Sequence, residues 1–325
     1  MVARIIHLTP DSRAAAVQDA CAVLTAGGLI GMPTETVYGL AADAANGEAV
    51  ARIFAAKGRP QFNPLICHVS GFEMAARYAA FNEQAERLAA EFWPGPLTLV
   101  VPLAEGSQVH LLATAGLPTV AIRAPQGLAA DIIRAFGRAI AAPSANRSGR
   151  ISATRAEHVV DQLGDRVALV VDAGPTRIGV ESTIVSLTAS EPILLRPGGV
   201  PTDAIEMLLG VALKRASSGD PVSAPGMLAS HYAPSLPLRL DAAALRPGEA
   251  LMAFGPVGMP GQENANAVRN LSRRGDLIEA AANLFAYLAE LDRSGASAIA
   301  VMPVPSHGIG EAINDRLRRA AAPRD

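Results

Sequence analysis

The chain has 325 residues, half of them hydrophobic, and its mean hydropathy is +0.25. This length exceeds that of a usual single domain, so two domains are expected. A charged fraction of 18% with a formal net charge of −2 excludes a disordered chain and a polycation that coats nucleic acid. The two cysteines, Cys21 and Cys67, lie far apart in the sequence, which excludes a disulfide scaffold and a thiolate zinc site.

Targeting and membrane signals are absent from the sequence pattern. The N-terminal stretch MVARIIHLTPDSR has no apolar segment of signal-peptide length. No uninterrupted apolar run approaches the length that a membrane span needs. We therefore expect a cytoplasmic protein.

Helices and strands alternate through the first 210 residues. Thr9-Pro10 predicts the start of a helix, Asn46 to Gly58 a second helix, and Thr154-x-x-Glu157 the capping box of a third. Short apolar runs predict buried strands at 29–32, 65–69, 97–101, 119–123, 139–142, 168–171, 182–187 and 193–196. A helix from about Thr202 completes one α/β domain over residues 1–212 with a large mixed sheet.

Periodicity disappears after residue 212, where Ser, Gly, Pro and Ala dominate. This composition predicts a linker over 213–237. Strands at 250–254 and 298–302 and helices at 276–291 and from 309 predict a small second α/β domain over 238–325, with a Rossmann-like topology.

Two basic residues follow one another closely in KGRPQFNPLICHV. Lys57 and Arg59 stand on a turn stiffened by Gly and Pro, which suits an anion with several oxygens, such as a nucleotide phosphate. The alternative is a helix C-terminus whose cations complement the helix dipole. Only Lys57 and Lys214 are lysines among 28 basic residues, and this rarity favours a specific role for Lys57.

His68 lies in the apolar run 65–69, where a lone histidine is more often part of the core than a ligand. Its neighbour Cys67 faces the opposite side of the strand, so a Cys–His nucleophile pair is not expected.

The loop APSANRSGRISAT brings together many small hydrogen-bond donors. Ser144, Asn146, Ser148, Gly149 and Ser152 follow a buried strand, and exposed backbone amides there could wrap phosphates. No Walker loop and no dinucleotide-binding G-x-G-x-x-G is present, so the loop by itself is weak evidence.

Arg123 and Arg196 each end an apolar strand. Either arginine needs an anionic partner, which is an internal carboxylate or an anionic substrate. Ser182, in ESTIV, has no base near it in the sequence, and G-x-S-x-G is absent, which argues against a serine hydrolase.

Seven motifs, taken in order and spacing, resemble the YrdC/Sua5 family. They are PTETVYGLAAD, KGRPQFNPLICHV, FWPGPLTLVV, TVAIRAP, APSANRSG, DAGPTRIGVESTIV and LLRPGG. A linker with SAPGMLASHYAP and a small C-terminal domain is similar to the long form of that family, so the resemblance covers essentially the whole chain.

The resemblance implies a twisted mixed sheet with a concave cleft, and it implies L-threonylcarbamoyladenylate synthase activity. L-threonine, bicarbonate or CO2, and ATP would give threonylcarbamoyl-AMP and pyrophosphate, with Mg²⁺ on the phosphates. A tRNA threonylcarbamoyl transferase would then receive the product for tRNA modification.

The resemblance also implies roles for individual residues. L-threonine would contact Thr36, His68, Arg123, Ala142 and Ser182. ATP would be bound by Lys57, Arg59, Asn63, Thr119, Ser144, Asn146, Ser152, Arg196 and Tyr232, with Lys57 and Arg59 as catalytic residues. No metal-ligating residue is assigned.

Two alternatives remain open at this point. The domain could be an RNA-binding module, although residues 1–210 hold 16 basic and 19 acidic residues and offer no arginine/aromatic platform. It could also serve carbamoyl transfer in hydrogenase maturation, but the acylphosphatase and zinc-finger segments typical of that function are not seen.

Overall fold

The computed structural model describes residues 3–216, 224–225 and 230–323, which form two sheets flanked by helices. The larger sheet takes its strands from residues 4–215 and the smaller one from residues 238–301. This mixed α/β architecture confirms the fold class expected from the sequence.

Eleven strands form the larger sheet within the described residues. They are β1 (Arg4–His7), β2 (Ile30–Met32), β3 (Gly39–Asp43), β4 (Ile66–His68), β5 (Leu97–Pro102), β6 (Thr119–Arg123), β7 (Ile140–Ala141), β8 (Leu169–Asp172), β9 (Thr183–Ser186), β10 (Ile193–Arg196) and β11 (Lys214–Arg215). Their spatial order is β1-β8-β2-β3-β7-β4-β6-β5-β9-β10-β11. β4 and β6 run parallel with His68 opposite Arg123, so both residues lie at the carboxyl ends of these neighbouring strands.

The helices around this sheet pack their apolar faces against it. They are α1 (Arg13–Thr25), α2 (Gly47–Lys57), α3 (Phe72–Ala75), α4 (Glu83–Phe92), α5 (Leu111–Thr114), α6 (Leu128–Phe136), α7 (Ala156–Leu163) and α8 (Thr202–Leu209), with a 3-10 turn at Gly164–Arg166. The resulting core is one large cluster that includes Leu40, Leu99 and Ile140, and a smaller separate cluster contains Val100 and Ala121.

Local capping decides where these helices begin. The Asn46 side chain accepts hydrogen bonds from the amides of Glu48 and Ala49, so α2 starts as predicted. The start at Thr9-Pro10 was wrong: Thr9 bonds to Ser12 instead, and α1 begins at Arg13. The capping box at Thr154 was also wrong, since α7 begins at Ala156 and the buried Thr154 hydroxyl makes no hydrogen bond within the described residues.

The second domain is a parallel sheet covered by two helices. Its strands are β12 (Leu238–Arg239), β13 (Glu249–Ala253), β14 (Val268–Asn270) and β15 (Ala298–Val301), in the order β12-β15-β13-β14. The helices are α9 (Leu277–Asp292) and α10 (Gly310–Ala321), with a 3-10 turn at Gln262–Asn264. A parallel sheet with covering helices is the small α/β second domain that the sequence predicts, and its strand order places the last strand between the first two.

The two domains share one apolar cluster. Val37, Ile151 and Val180 of the first domain pack in the core of the second, beside Phe285 of α9. A Cβ at Gly179 would lie 2.2 Å from the carbonyl oxygen of Ala281, so only glycine allows this close approach of loop and helix. The loops that hold these residues also line the cavity described below.

Among the described residues, none of the helices is both long and apolar enough to cross a membrane.

Candidate active site

A cavity lies over the larger sheet, where the strands that carry polar side chains end. Loops after β2 and β7, the ends of β4, β6 and β10, and the segment that enters the second domain surround it. The lining residues are Thr34, Thr36, Val37, Gly39, Arg59, Ile66, His68, Arg123, Ala142, Pro143, Ser144, Glu181, Ser182, Arg196, Pro225, His231 and Tyr232. Its volume of about 40 Å³ has room for water but not for a nucleotide.

All five residues that the resemblance assigned to L-threonine line this cavity: Thr36, His68, Arg123, Ala142 and Ser182. The turn after β2 is organised by Thr34, whose hydroxyl accepts hydrogen bonds from the amides of Thr36 and Val37. This turn aims the Thr36 hydroxyl at the Arg123 guanidinium, 2.9 Å from Nη1.

Of the two partners that the sequence left possible for Arg123, the structure shows the internal carboxylate, which is Glu35. Arg123 Nη2 donates to Glu35 Oε1 at 2.7 Å, and its Nε donates to the carbonyl of Gly95 at 3.1 Å. With the bond to Thr36 these are three hydrogen bonds, and a guanidinium has further N–H donors. Arg123 therefore serves the structure and can still face an anion in the cavity.

His68 and Cys67 are both uncharged. Burial, and next the charge of Arg123, lower the pKa of His68 to about 3, so its imidazole is neutral at physiological pH. Burial raises the pKa of Cys67 to about 12, which keeps the thiol protonated and unreactive. No Cys–His nucleophile is formed here, as expected.

Four of the residues assigned to ATP line the same cavity: Arg59, Ser144, Arg196 and Tyr232. The Arg59 guanidinium donates to the carbonyls of Asn63 and Pro64 and to Asn63 Oδ1. Arg196 donates twice to the carbonyl of Ser182 and once to its hydroxyl. Neither arginine makes a hydrogen bond to a carboxylate among the described residues.

The other five residues assigned to ATP do not line the cavity. Asn63 lies behind it and holds Arg59 through its side-chain oxygen, 2.6 Å from Nη2. Asn146 donates to the carbonyls of Arg147 and Arg150 and so ties up its own loop. Thr119 stands at the end of β6 away from Arg123, on the same face of the sheet.

Lys57 is an internal support in this structure, not a solvent-lined cation. Its side chain is buried, and its Nζ donates to the carbonyls of Ser144 at 2.6 Å and Asn146 at 2.5 Å. Burial, and next the charge of Arg59, lower its pKa well below the usual range. Lys57 thus fixes the loop that presents Ser144 to the cavity.

Glu181 is a charged cavity residue that the sequence reasoning missed. It accepts a hydrogen bond of 2.5 Å from Ser152 and one of 2.7 Å from Arg316 of α10. Burial favours its neutral form, but the charges of Arg316 and Arg196 outweigh burial and hold its pKa at about 2. Nothing in the sequence near Glu181 points to a partner 135 positions away.

The turn after β10 keeps Arg196 over Ser182. A Cβ at Gly198 would lie 2.3 Å from backbone atoms of Ser182 and Thr183, so this segment of LLRPGG can pass over them only with glycine.

The electrostatics of the cavity favour a polyanion. Burial, and next the nearby charge of Arg196, lower the pKa of Arg59 to about 10. Two buried guanidinium groups that repel each other, and that bond to no carboxylate among the described residues, would gain from an anion with several oxygens. Because these cations are buried, they are not presented to a nucleic-acid duplex.

No group of three or more His, Cys, Asp or Glu side chains that could hold a metal ion occurs among the described residues. Two carboxylates beside the cavity are engaged, Glu35 by Arg123 and Glu181 by Arg316. The residues that the structure describes therefore form no metal cage beside the cavity.

The chain belongs to the Sua5/YciO/YrdC family. Residues 22–198 match the family model described as "Telomere recombination", and residues 200–322 match the model "Threonylcarbamoyl-AMP synthase, C-terminal domain". The matches cover both halves of the chain and confirm the family resemblance of the motifs.

Relatives of similar length carry one enzyme name. The chain is 43% identical over 317 residues to a Pyrococcus abyssi protein named threonylcarbamoyl-AMP synthase, covering 92% of each chain. It is 40% identical over 325 residues to the Bacillus subtilis protein of the same name, covering 95% of this chain and 93% of that protein. The crystal structure of Pyrococcus abyssi Sua5 complexed with L-threonine superposes with a TM-score of 0.89 at 37% identity, covering 99% of this chain and 98% of that one.

Proposed function

We propose that this chain is an L-threonylcarbamoyladenylate synthase, which makes threonylcarbamoyl-AMP and pyrophosphate from L-threonine, bicarbonate or CO2, and ATP. The observation that carries the proposal is one cavity that joins Arg123, Thr36 and Ser182 to a pair of buried arginines, Arg59 and Arg196, which bond to no carboxylate in the described part of the chain. The names of the full-length relatives and the threonine complex of the Pyrococcus abyssi protein support it.

L-threonine is assigned to the end of the cavity near β4 and β6. The remaining N–H donors of Arg123 suit the substrate carboxylate, because a guanidinium fork matches that group. Hydroxyl groups of Thr34, Thr36 and Ser182 can read the substrate hydroxyl. Neutral His68 adds no positive charge beside the amine.

ATP is assigned to the end of the cavity near Ser144. Arg59 and Arg196 bind the phosphates, the loop held by Lys57 contributes the Ser144 hydroxyl, and Tyr232 bounds the site on the linker side. Mg²⁺ would enter with the nucleotide substrate, since the two carboxylates beside the cavity in the described part of the chain, Glu35 and Glu181, are already bound by arginines.

The reaction needs no nucleophile from the protein. The threonine amine adds to CO2 or bicarbonate to give a carbamate, releasing a proton or water. A carbamate oxygen then attacks the α-phosphorus of ATP, and the bond to pyrophosphate breaks. Positioning of the two substrates and charge stabilisation by Arg59 and Arg196 are the protein's contribution.

The product is a mixed anhydride that hydrolyses in water, so it needs prompt transfer to an acceptor. We assign that acceptor role to a tRNA threonylcarbamoyl transferase, and we place the enzyme in the cytoplasm with it.

Pyrophosphate release from ATP tests the proposal, with threonine and bicarbonate omitted in turn. We expect release only when all three substrates are present. Arg196→Met should abolish it, whereas the matched variant Arg318→Met, which removes an exposed charge from α10, should not. Release that ignores both omissions would overturn the synthase assignment.

A further inference from the structure

Arg316 joins the second domain to the candidate active site. It lies in α10, its side chain is 0% exposed, and its Nε donates to Glu181 Oε2 across the domain boundary. Its Nη1 donates to Asp315, and its guanidinium stacks over the Tyr232 ring at 5.0 Å from the centroid. Burying an arginine this completely costs free energy of folding unless charged and polar partners compensate for the lost hydration.

The negative charge of Glu181 opposes the binding of a polyanion in this cavity. Glu181 is ionised, it lines the cavity together with Arg59 and Arg196, and its charge interacts with that of Arg196. An unpaired carboxylate there would repel phosphates and would compete with them for the arginines. The bond to Ser152 occupies one of its oxygens, and Arg316 occupies the other.

We propose that Arg316 is a positioning residue for the nucleotide site: it holds and neutralises Glu181, so that Arg196 and Arg59 stay available for the triphosphate. The second domain thereby sets the charge of the cavity without touching the substrates. The inference rests on the proposed function in one respect, since the triphosphate is the anion that the two arginines are assigned to bind.

The test is the affinity of the full chain for ATP in the presence of Mg²⁺, measured by titration calorimetry. Four proteins are compared: the unsubstituted chain, Arg316→Met, Glu181→Gln and the double variant. Arg316→Met should weaken ATP binding roughly 10- to 100-fold, the value of a charge-assisted bond lost from the site. Glu181→Gln removes the competing charge and keeps an acceptor for Ser152, so the double variant should bind ATP within about threefold of the unsubstituted chain.

Rescue by the second substitution separates an electrostatic role from a purely structural one. If Arg316 only holds the domains together, removing its partner as well cannot restore ATP affinity, and failure of the double variant to recover would overturn the inference. Equal ATP affinity of Arg316→Met and the matched control Arg318→Met would also overturn it. An unsubstituted chain that binds no ATP would instead overturn the proposed function.

Threonine affinity is measured in parallel on the same proteins. Arg123, the assigned partner of the threonine carboxylate, bonds to Glu35, Thr36 and Gly95 and not to Glu181 or Arg316, so Arg316→Met should change threonine affinity by less than about threefold. A loss as large as that for ATP would mean that the substitution disturbs the whole cavity, and would count against the inference.

Discussion

The guanidinium of Arg123 and the carboxylate of Glu35 form an ion pair of 2.7 Å with both side chains buried. Arg123 thus supports the turn after β2 and faces the cavity at the same time. Arg123→Ala should lower the free energy of unfolding by about 3–5 kcal/mol, because it leaves the Glu35 charge buried without a partner. Denaturant unfolding measures this change.

The same substitution should raise the threonine requirement more than the ATP requirement. Loss of a charge-assisted pair to the substrate carboxylate costs roughly 1.5–3 kcal/mol, or about one to two orders of magnitude in affinity. The double variant Arg123→Ala/Glu35→Gln is the control, since it should regain stability without regaining threonine affinity. Equal losses for threonine and ATP would mean that Arg123 acts only through the structure.

Because Lys57 is buried, its substitution should reduce stability as well as activity, unlike substitution of an exposed phosphate ligand. Lys57→Ala should abolish adenylate formation and also lower the free energy of unfolding by about 1–3 kcal/mol, because two bonds to the loop at Ser144 and Asn146 are lost. Lys57→Arg should rescue poorly, since a planar fork cannot replace a compact ammonium between two carbonyls. Activity and denaturant unfolding are measured on both variants. Full activity of Lys57→Arg would show that any cation suffices.

His68 should make the fold sensitive to acid. Its folded pKa of about 3 lies below the unfolded value near 6.5, so below pH 6.5 the unfolded chain binds a proton that the folded chain does not. Its contribution to stability is complete above pH 6.5 and is lost progressively as the pH falls toward 3. Between pH 7 and 5 the loss is about 2 kcal/mol.

Thermal unfolding at both pH values checks this expectation. His68→Gln should lose less stability than the unsubstituted chain on acidification, while the exposed His307→Gln serves as the matched control. Identical pH dependence of all three proteins would contradict the assignment of the acid sensitivity to His68.

The linker is expected to act as a lid. Truncation after about Leu213 should leave a folded first domain with much reduced synthesis, because Tyr232 and the contacts of Val37, Ile151 and Val180 are lost. Limited proteolysis near Ser217–Ser223, which lies outside the described residues, should slow when ATP and threonine are added. Unchanged cleavage with both ligands, together with full activity of the truncated protein, would exclude a lid.

Structural features that depend on residues close together in the chain, such as strand bounds and helix caps, could be predicted from the sequence. Strand β6 has the bounds expected from its apolar run, and Asn46 caps α2 as its position suggests. Thr154-x-x-Glu157 failed because a capping pattern competes with tertiary burial, which placed the Thr154 hydroxyl inside the fold. Local sequence patterns indicate which helix boundaries are favourable, and tertiary packing selects among boundaries of similar free energy.

Residues of the candidate site could be named from the sequence, but the hydrogen bonds and ion pairs between them could not. The family resemblance assigned Arg123, His68 and Ser182 to one substrate, and all three line the cavity. The bond between Glu181 and Arg316 joins residues 135 positions apart, and no local period links them. Lys57 was identified as important, yet its burial depends on where the loop after β7 folds back, which the sequence does not show.

Tyr232 belongs to both units of the molecule. It lines the cavity, its ring packs 5.5 Å from that of Phe285 in the core of the second domain, and its backbone is left-handed with φ of +64°. A cavity of about 40 Å³ must widen before ATP enters. Widening at Tyr232 then requires either extraction of an aromatic ring from an apolar core or a joint displacement of the whole second domain. Substrate entry is thereby coupled to the packing of the second domain, and the rate of turnover should respond to substitutions as distant as Phe285.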